Sequence, residues 1–185
     1  MARETSLATV WLMMLRMMEA QGLDVARVLK DIGVPESVLR QPEARLPSRL
    51  SDVVFEKAAA VIADPAFGLR AADFWHPSNL GTLGYAWLSS STLRTGLRRM
   101  ERYSKILGNR FRYTCIDQPE GLRFIYDHGR GDAPVGWPIA DFSLSIFVDM
   151  CRTNFGSRLG PLKVCLRRPV PADTFPYEDF FGGEV

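Results

Sequence analysis

The chain is predicted to be an α+β domain, with a mainly helical N-terminal half followed by a small antiparallel sheet and one interposed helix. Three observations predict this. Through the first hundred or so residues, apolar side chains recur at steps of three, four and seven, the spacing of a helix face. After Gly108 the period drops to two, as in strands with one buried face. A long helical pattern then separates two alternating stretches. Helices first and strands later suit α+β rather than an alternating α/β order.

The elements follow in order. "SLATVWLMMLRMMEAQG" (6–22) is a strong helix pattern that stops at Gly22. Asp24 can cap "VARVLKDIG", and Pro35 can open "PESVLRQ" at a first helical position. "QPEARLP" reads as a loop. "SRLSDVVFEKAAAVIAD" is a further helix with Val54, Ala58, Val61 and Ile62 inward. Asp64 and Pro65 are start signals for "DPAFGLRAADFW", and a short apolar helix is expected around Leu83 to Leu88. In "TLRTGLRRMERY" (92–103), Leu93, Leu97, Met100 and later Leu107 form one face, while Arg94, Arg98, Arg102 and Lys105 fall opposite.

The alternating segments come next. "RFRYTCI" places Phe111, Tyr113 and Cys115 on one side, and "GLRFIYD" does the same for Leu122, Phe124 and Tyr126. With "DQPEG" as the turn they form an antiparallel hairpin. "WPIADFSLSIFVDMCRTNFG" is a helix with Ile139, Phe142, Ile146, Phe147 and Met150 inward. "LKVCLRRP" reads as a third strand, and "PADTFPYEDFFG" closes with a helical turn. Three strands make a small sheet, so the domain is expected to lack its last strands.

Bulk numbers bound the class. The chain has 185 residues, 46% of them hydrophobic and 24% charged, and a net charge of +2. That is one globular domain, with enough apolar surface to hold a core without staples. A net charge this small does not mark a nucleic-acid-binding domain, so the basic helix is a local feature. Three scattered cysteines form no disulfide framework and no zinc pattern; they suit a reducing, cytoplasmic setting. No uninterrupted apolar run is long enough to span a membrane.

Catalytic signatures are missing. GxSxG, GxxxxGK[ST] and HExxH do not occur. "GRGDAPVG" lacks the third glycine of a dinucleotide loop. His76 and His128 sit at element edges and read as solvated loop residues. Glu178 and Asp179 are sequence neighbours and cannot face one another on a helix. No metal site, cofactor or enzymatic activity is expected. "DVARVLKDIGVPESVLRQ" has the outline of a helix-turn-helix, but the second helix is short and carries few base-reading side chains.

Aromatics concentrate between residues 75 and 147. A core explains most of them, yet a pocket for a small amphipathic ligand needs the same lining with a few polar groups. The candidate ligand-contact residues are Trp75, Tyr85, Trp87, Tyr103, Tyr113, Arg123, Tyr126 and Phe142.

The segments "GLDVARVLKDIGVPESVLRQPEARLP", "DPAFGLRAADFWHPSNLGTLGYAWLSSSTLRTGLRRMERYSKIL" and "PVPADTFPYEDFFG" occur in that order, with the hairpin before the last. Together, over about residues 20–183, they resemble the N-terminal effector-binding, arabinose-binding-like region of AraC-type transcriptional regulators. The resemblance implies a sensor that binds a small-molecule effector. It also implies a bacterial regulator that contacts DNA only through a C-terminal helix-turn-helix domain expected beyond Val185. A homodimer is one expected partner state. The alternative reading, from another class, is a dimerisation and docking module with no natural ligand. The resemblance transfers no fixed set of ligand contacts.

Overall fold

The computed structural model describes residues 4–182. A three-residue strand, β1 (Thr5–Leu7), leads into helix α1 (Ala8–Glu19). Helices α2 (Val25–Asp31) and α3 (Glu36–Leu39) form a corner, and strand β2 (Arg45–Pro47) returns to pair antiparallel with β1. Helix α4 (Ser48–Val61) is followed by two 3-10 segments, Phe67–Asp73 and Pro77–Leu80. Next come α5 (Gly81–Leu88), α6 (Leu93–Tyr103), strands β3 (Arg112–Gln118) and β4 (Gly121–Asp127), α7 (Gly136–Phe155) and α8 (Phe175–Phe181). The architecture is α+β, with two small antiparallel sheets among the helices.

The hairpin forms where alternation places it. Tyr113 pairs with Tyr126 and Cys115 with Phe124, so the aromatic faces of both strands coincide. That face lies on α7: Phe147 sits 4.7 Å from Tyr113 and 4.8 Å from Phe124, ring centre to ring centre. Along α7, Ile139, Phe142, Ile146, Phe147 and Met150 are buried in the main core. The other side of α7 meets a second cluster, where Leu144 and Val148 pack with buried Tyr177 and Phe181 of α8.

The basic helix α6 has its own explanation. Thr92 caps it by accepting from the Thr95 N–H. Leu97 and Met100 face the core. On the opposite side, Arg98 donates to the Cys115 carbonyl at 2.9 Å, and Glu101 accepts from the Cys115 N–H at 2.8 Å. Two side chains thus satisfy the outward backbone groups of Cys115, at the middle of the open side of β3 where a further strand would otherwise pair. Arg94 and Arg98 both pair with Asp117 on the same strand. Arg99 donates to the Ala86 carbonyl near the end of α5. Arg94, Arg98 and Arg99 therefore fasten α6 to its neighbours, while Arg102 lies over the Tyr103 ring of its own helix.

Several expectations are corrected. "LKVCLRRP" is no strand, although its alternation is real. Val164 and Leu166 turn inward, but the surface they meet is the second cluster on α7 rather than a strand edge. "QPEARLP" is more than a loop, because its last three residues pair with β1. "DPAFGLRAADFW" tightens to a 3-10 segment. Val61 is 61% exposed, and Phe55 takes the inward position on α4. Helix α3 is a single turn whose Leu39 is buried, so the 24–41 region is a helical corner of the core.

Two close approaches hold the arrangement. At Gly84 a Cβ would lie 2.0 Å from the Pro77 carbonyl oxygen, a backbone atom that cannot swing away. Farther along, Asp141 of α7 is fully buried; it pairs with Arg168 at 2.9 Å and accepts from the Tyr177 hydroxyl at 3.0 Å. Arg168 also covers the Tyr177 ring. Burial outweighs these partners and holds the Asp141 acid above its ordinary range. Asp141 Oδ1 and two Arg168 nitrogens find no hydrogen-bond partner.

Two outcomes are expected. Gly84→Ala should lower unfolding free energy by about 3 kcal/mol, read from urea denaturation; an unchanged midpoint would show that the backbone has room. Asp141→Ala should cost about 3–5 kcal/mol by stranding the Arg168 charge, while Asp141→Leu combined with Arg168→Met restores most of it. A double variant as unstable as the single one would contradict this account.

Candidate functional site

A cavity lies inside the main core, between α1, α4, the β3–β4 hairpin and α7. Its volume is about 90 Å³, several times the roughly 10–15 Å³ that one water needs. Most of the wall is apolar. Helix α1 contributes Trp11 and Met14, α4 contributes Phe55, and α7 contributes Ile139, Phe142, Ile146 and Met150. These positions are in place because each helix turns its core stripe toward one centre.

One part of the wall is polar. Ser48 and Ser51 come from the start of α4, Ser143 from α7, and Tyr113 and Tyr126 from the hairpin. Burial pushes both tyrosine hydroxyls above their ordinary range, Tyr113 by more, so they stay protonated hydrogen-bond donors. Arg110 and Arg130 complete this side. Both bind one carboxylate, Asp52 of α4. Arg110 Nη1 lies 2.6 Å from Oδ2, and Arg130 Nη2 lies 2.6 Å from Oδ1. Arg130 also donates to the His128 carbonyl and to Ser51 Oγ. Its side chain is only 6% exposed. Outside this group, Glu4 reaches Arg110 Nε at 3.4 Å from a largely exposed position.

His128 supports the same corner. It is buried, contrary to the expectation of a solvated loop histidine. Its Nδ1 accepts from the Arg130 N–H at 3.1 Å. Its ring lies so close to Gly136 that a Cβ there would stand 2.3 Å from it. Burial first, and then the neighbouring Arg130 charge, hold its pKa below 6.5; Asp127 opposes them, and Arg110 and Arg167 add smaller contributions in the lowering direction. His76, by contrast, is exposed and caps the 3-10 segment Pro77–Leu80.

The eight sequence-derived candidates do not share one site. Tyr113, Tyr126 and Phe142 line the cavity. Trp87 is fully buried elsewhere, with its indole N–H donating to the Met150 carbonyl. Trp75 is half-buried and donates to Asp149. Tyr85 and Tyr103 are exposed on α5 and α6, and Arg123 points outward from β4. Sequence reasoning missed Arg110, Arg130 and Asp52. A faint signal existed for Arg130, since Gly129 and Gly131 both hold positive φ and a residue between two such turns is tightly placed. Nothing in the spacing joins Asp52 to residues 58 and 78 positions away. Among the described residues no cluster of histidine, cysteine and carboxylate side chains can hold a metal ion, and no helix is long and apolar enough to cross a membrane.

The α+β frame sets a partly open, largely apolar cavity between α1, α4, the hairpin and α7. Residues 22–185 match the family model of the arabinose-binding domain of AraC transcription regulator, N-term. The chain belongs to that family, the ligand-sensing N-terminal domains of AraC-like regulators. No individual curated protein matches it.

His128 generates a pH prediction. Its folded pKa lies below its unfolded value of 6.5. The stability it contributes is therefore full above 6.5 and is lost as pH falls through the folded value. The urea midpoint should drop between pH 7.5 and 5.5, and His128→Gln should flatten that slope. Equal slopes in both proteins would remove His128 from this role.

Proposed function

We propose that this domain binds a small-molecule effector in the central cavity and transmits its occupancy to a DNA-binding domain elsewhere in the regulator. One observation carries the reading: the cavity is walled jointly by α1, α4, the hairpin and α7. A ligand there touches every layer at once. It favours whichever relative arrangement of those layers fits it, and differential affinity between two arrangements is all that switching requires. Helix α7 carries the change outward, because its far side holds the C-terminal segment through Asp141, Arg168 and Tyr177. Family membership supports the sensor role; the cavity supports the position of the effector.

Melting curves of this chain across a panel of organic acids, amino acids, sugars and lipids test the reading. One chemical class should raise the melting temperature, with about 2.7 kcal/mol of added stability at a hundredfold excess over Kd. Ile146→Phe, which narrows the cavity, should hold the unliganded melting temperature and abolish the response. A panel that moves nothing, or a response that survives Ile146→Phe, would overturn the assignment.

A further inference from the structure

We infer that the effector is an amphipathic organic acid, with its carboxylate against Arg110 and Arg130 and a short aliphatic chain in the apolar cavity. This rests on the cavity being the effector site.

The argument begins with charge. Two guanidiniums line the cavity and share one half-buried partner, Asp52. Both Asp52 oxygens are engaged, one by each arginine, so the trio keeps one net positive charge at the edge of an apolar space. Arg110, Asp52 and Arg130 have side chains 19%, 17% and 6% exposed, so water screens that excess poorly. Glu4 contacts Arg110 at 3.4 Å, but its side chain is 56% exposed and mostly solvated. Guanidinium offers five donors and no acceptor, in a fork matched to a carboxylate. His128 adds no acceptor toward the cavity, because its Nδ1 already receives the Arg130 N–H.

Size and polarity agree. A cavity of about 90 Å³ walled by Phe142, Ile146 and Met150 is smaller than the roughly 150 Å³ that takes a benzene ring, so it suits a short aliphatic chain better than a ring or a sugar. A sugar's hydroxyls would face carbon on most sides and lose their water without replacement. A cationic amphiphile would bring a second uncompensated positive charge to the arginines.

Titration calorimetry with matched pairs is the test: butanoate against butanamide, and hexanoate against hexanamide, with hexylamine as the cation. At least one acid should bind about tenfold or more tightly than its amide, and hexylamine should bind no better than the amide. Arg110→Gln should bring the acid-to-amide affinity ratio close to one, and Arg110→Lys should restore part of the acid preference. Amides binding as well as acids would overturn the acid assignment and leave the cavity site standing, as would hexylamine binding tightest. So would sugars or other neutral compounds binding where no acid does. If neither these probes nor the wider panel bind, both readings fall.

Discussion

The fold depends on α7 having no solvated face along most of its length. Its main-core side carries Phe142, Ile146 and Met150, and its other side carries Leu144, Val148 and the buried carboxylate of Asp141. A twenty-residue helix with apolar residues on both sides must be covered on both sides. The hairpin and α4 cover one, through Phe147 and Phe55. Ala66 and Leu69, with Val164, Leu166 and the α8 residues Tyr177 and Phe181, cover the other. Each large side chain so buried contributes about 1.5–3 kcal/mol relative to exposure, so the cover on each side is as necessary as the helix.

That requirement shapes the site. The aromatics on α7 and the hairpin are large and stiff, and they meet edge to face rather than filling space evenly. Where Phe55, Phe142, Tyr113 and Tyr126 come together with the α1 methionines, a space remains. The polar groups beside it are tied to one another: Asp52 joins α4 to residues just before β3 and just after β4. One carboxylate thus fixes the mouth of the hairpin relative to α4. The ends of the hairpin cannot separate from α4 without breaking both contacts, so cavity shape and hairpin position are coupled.

Asp141 and Arg168 play a comparable part on the far side, at a different energetic level. Their burial is incomplete in hydrogen-bond terms, because three of their polar atoms lack partners. A pair like this adds little net stability over an apolar replacement, yet losing one member is costly. It selects a single seating of the C-terminal segment on α7.

The sequence by itself determined the elements whose signal is local. The α6 cap at Thr92, the inward stripe of α7 and the hairpin register all follow from spacing along a few turns or a few pairs. The aromatic wall was partly legible for the same reason, since Tyr113 and Tyr126 sit at inward positions of an alternating pattern. Only the tertiary structure decided what those faces meet. Val164 and Leu166 alternate as a strand would, but their partner is a helix. Trp87 and Tyr85, two residues apart, part ways into core and solvent: the Trp87 indole N–H donates to the Met150 carbonyl and its ring meets Phe155, while Tyr85 stays mostly exposed. The polar corner was invisible because Asp52, Arg110 and Arg130 belong to three separate segments. Long-range pairing of charges leaves no period in the chain; it arises only when packing brings those segments within hydrogen-bond reach.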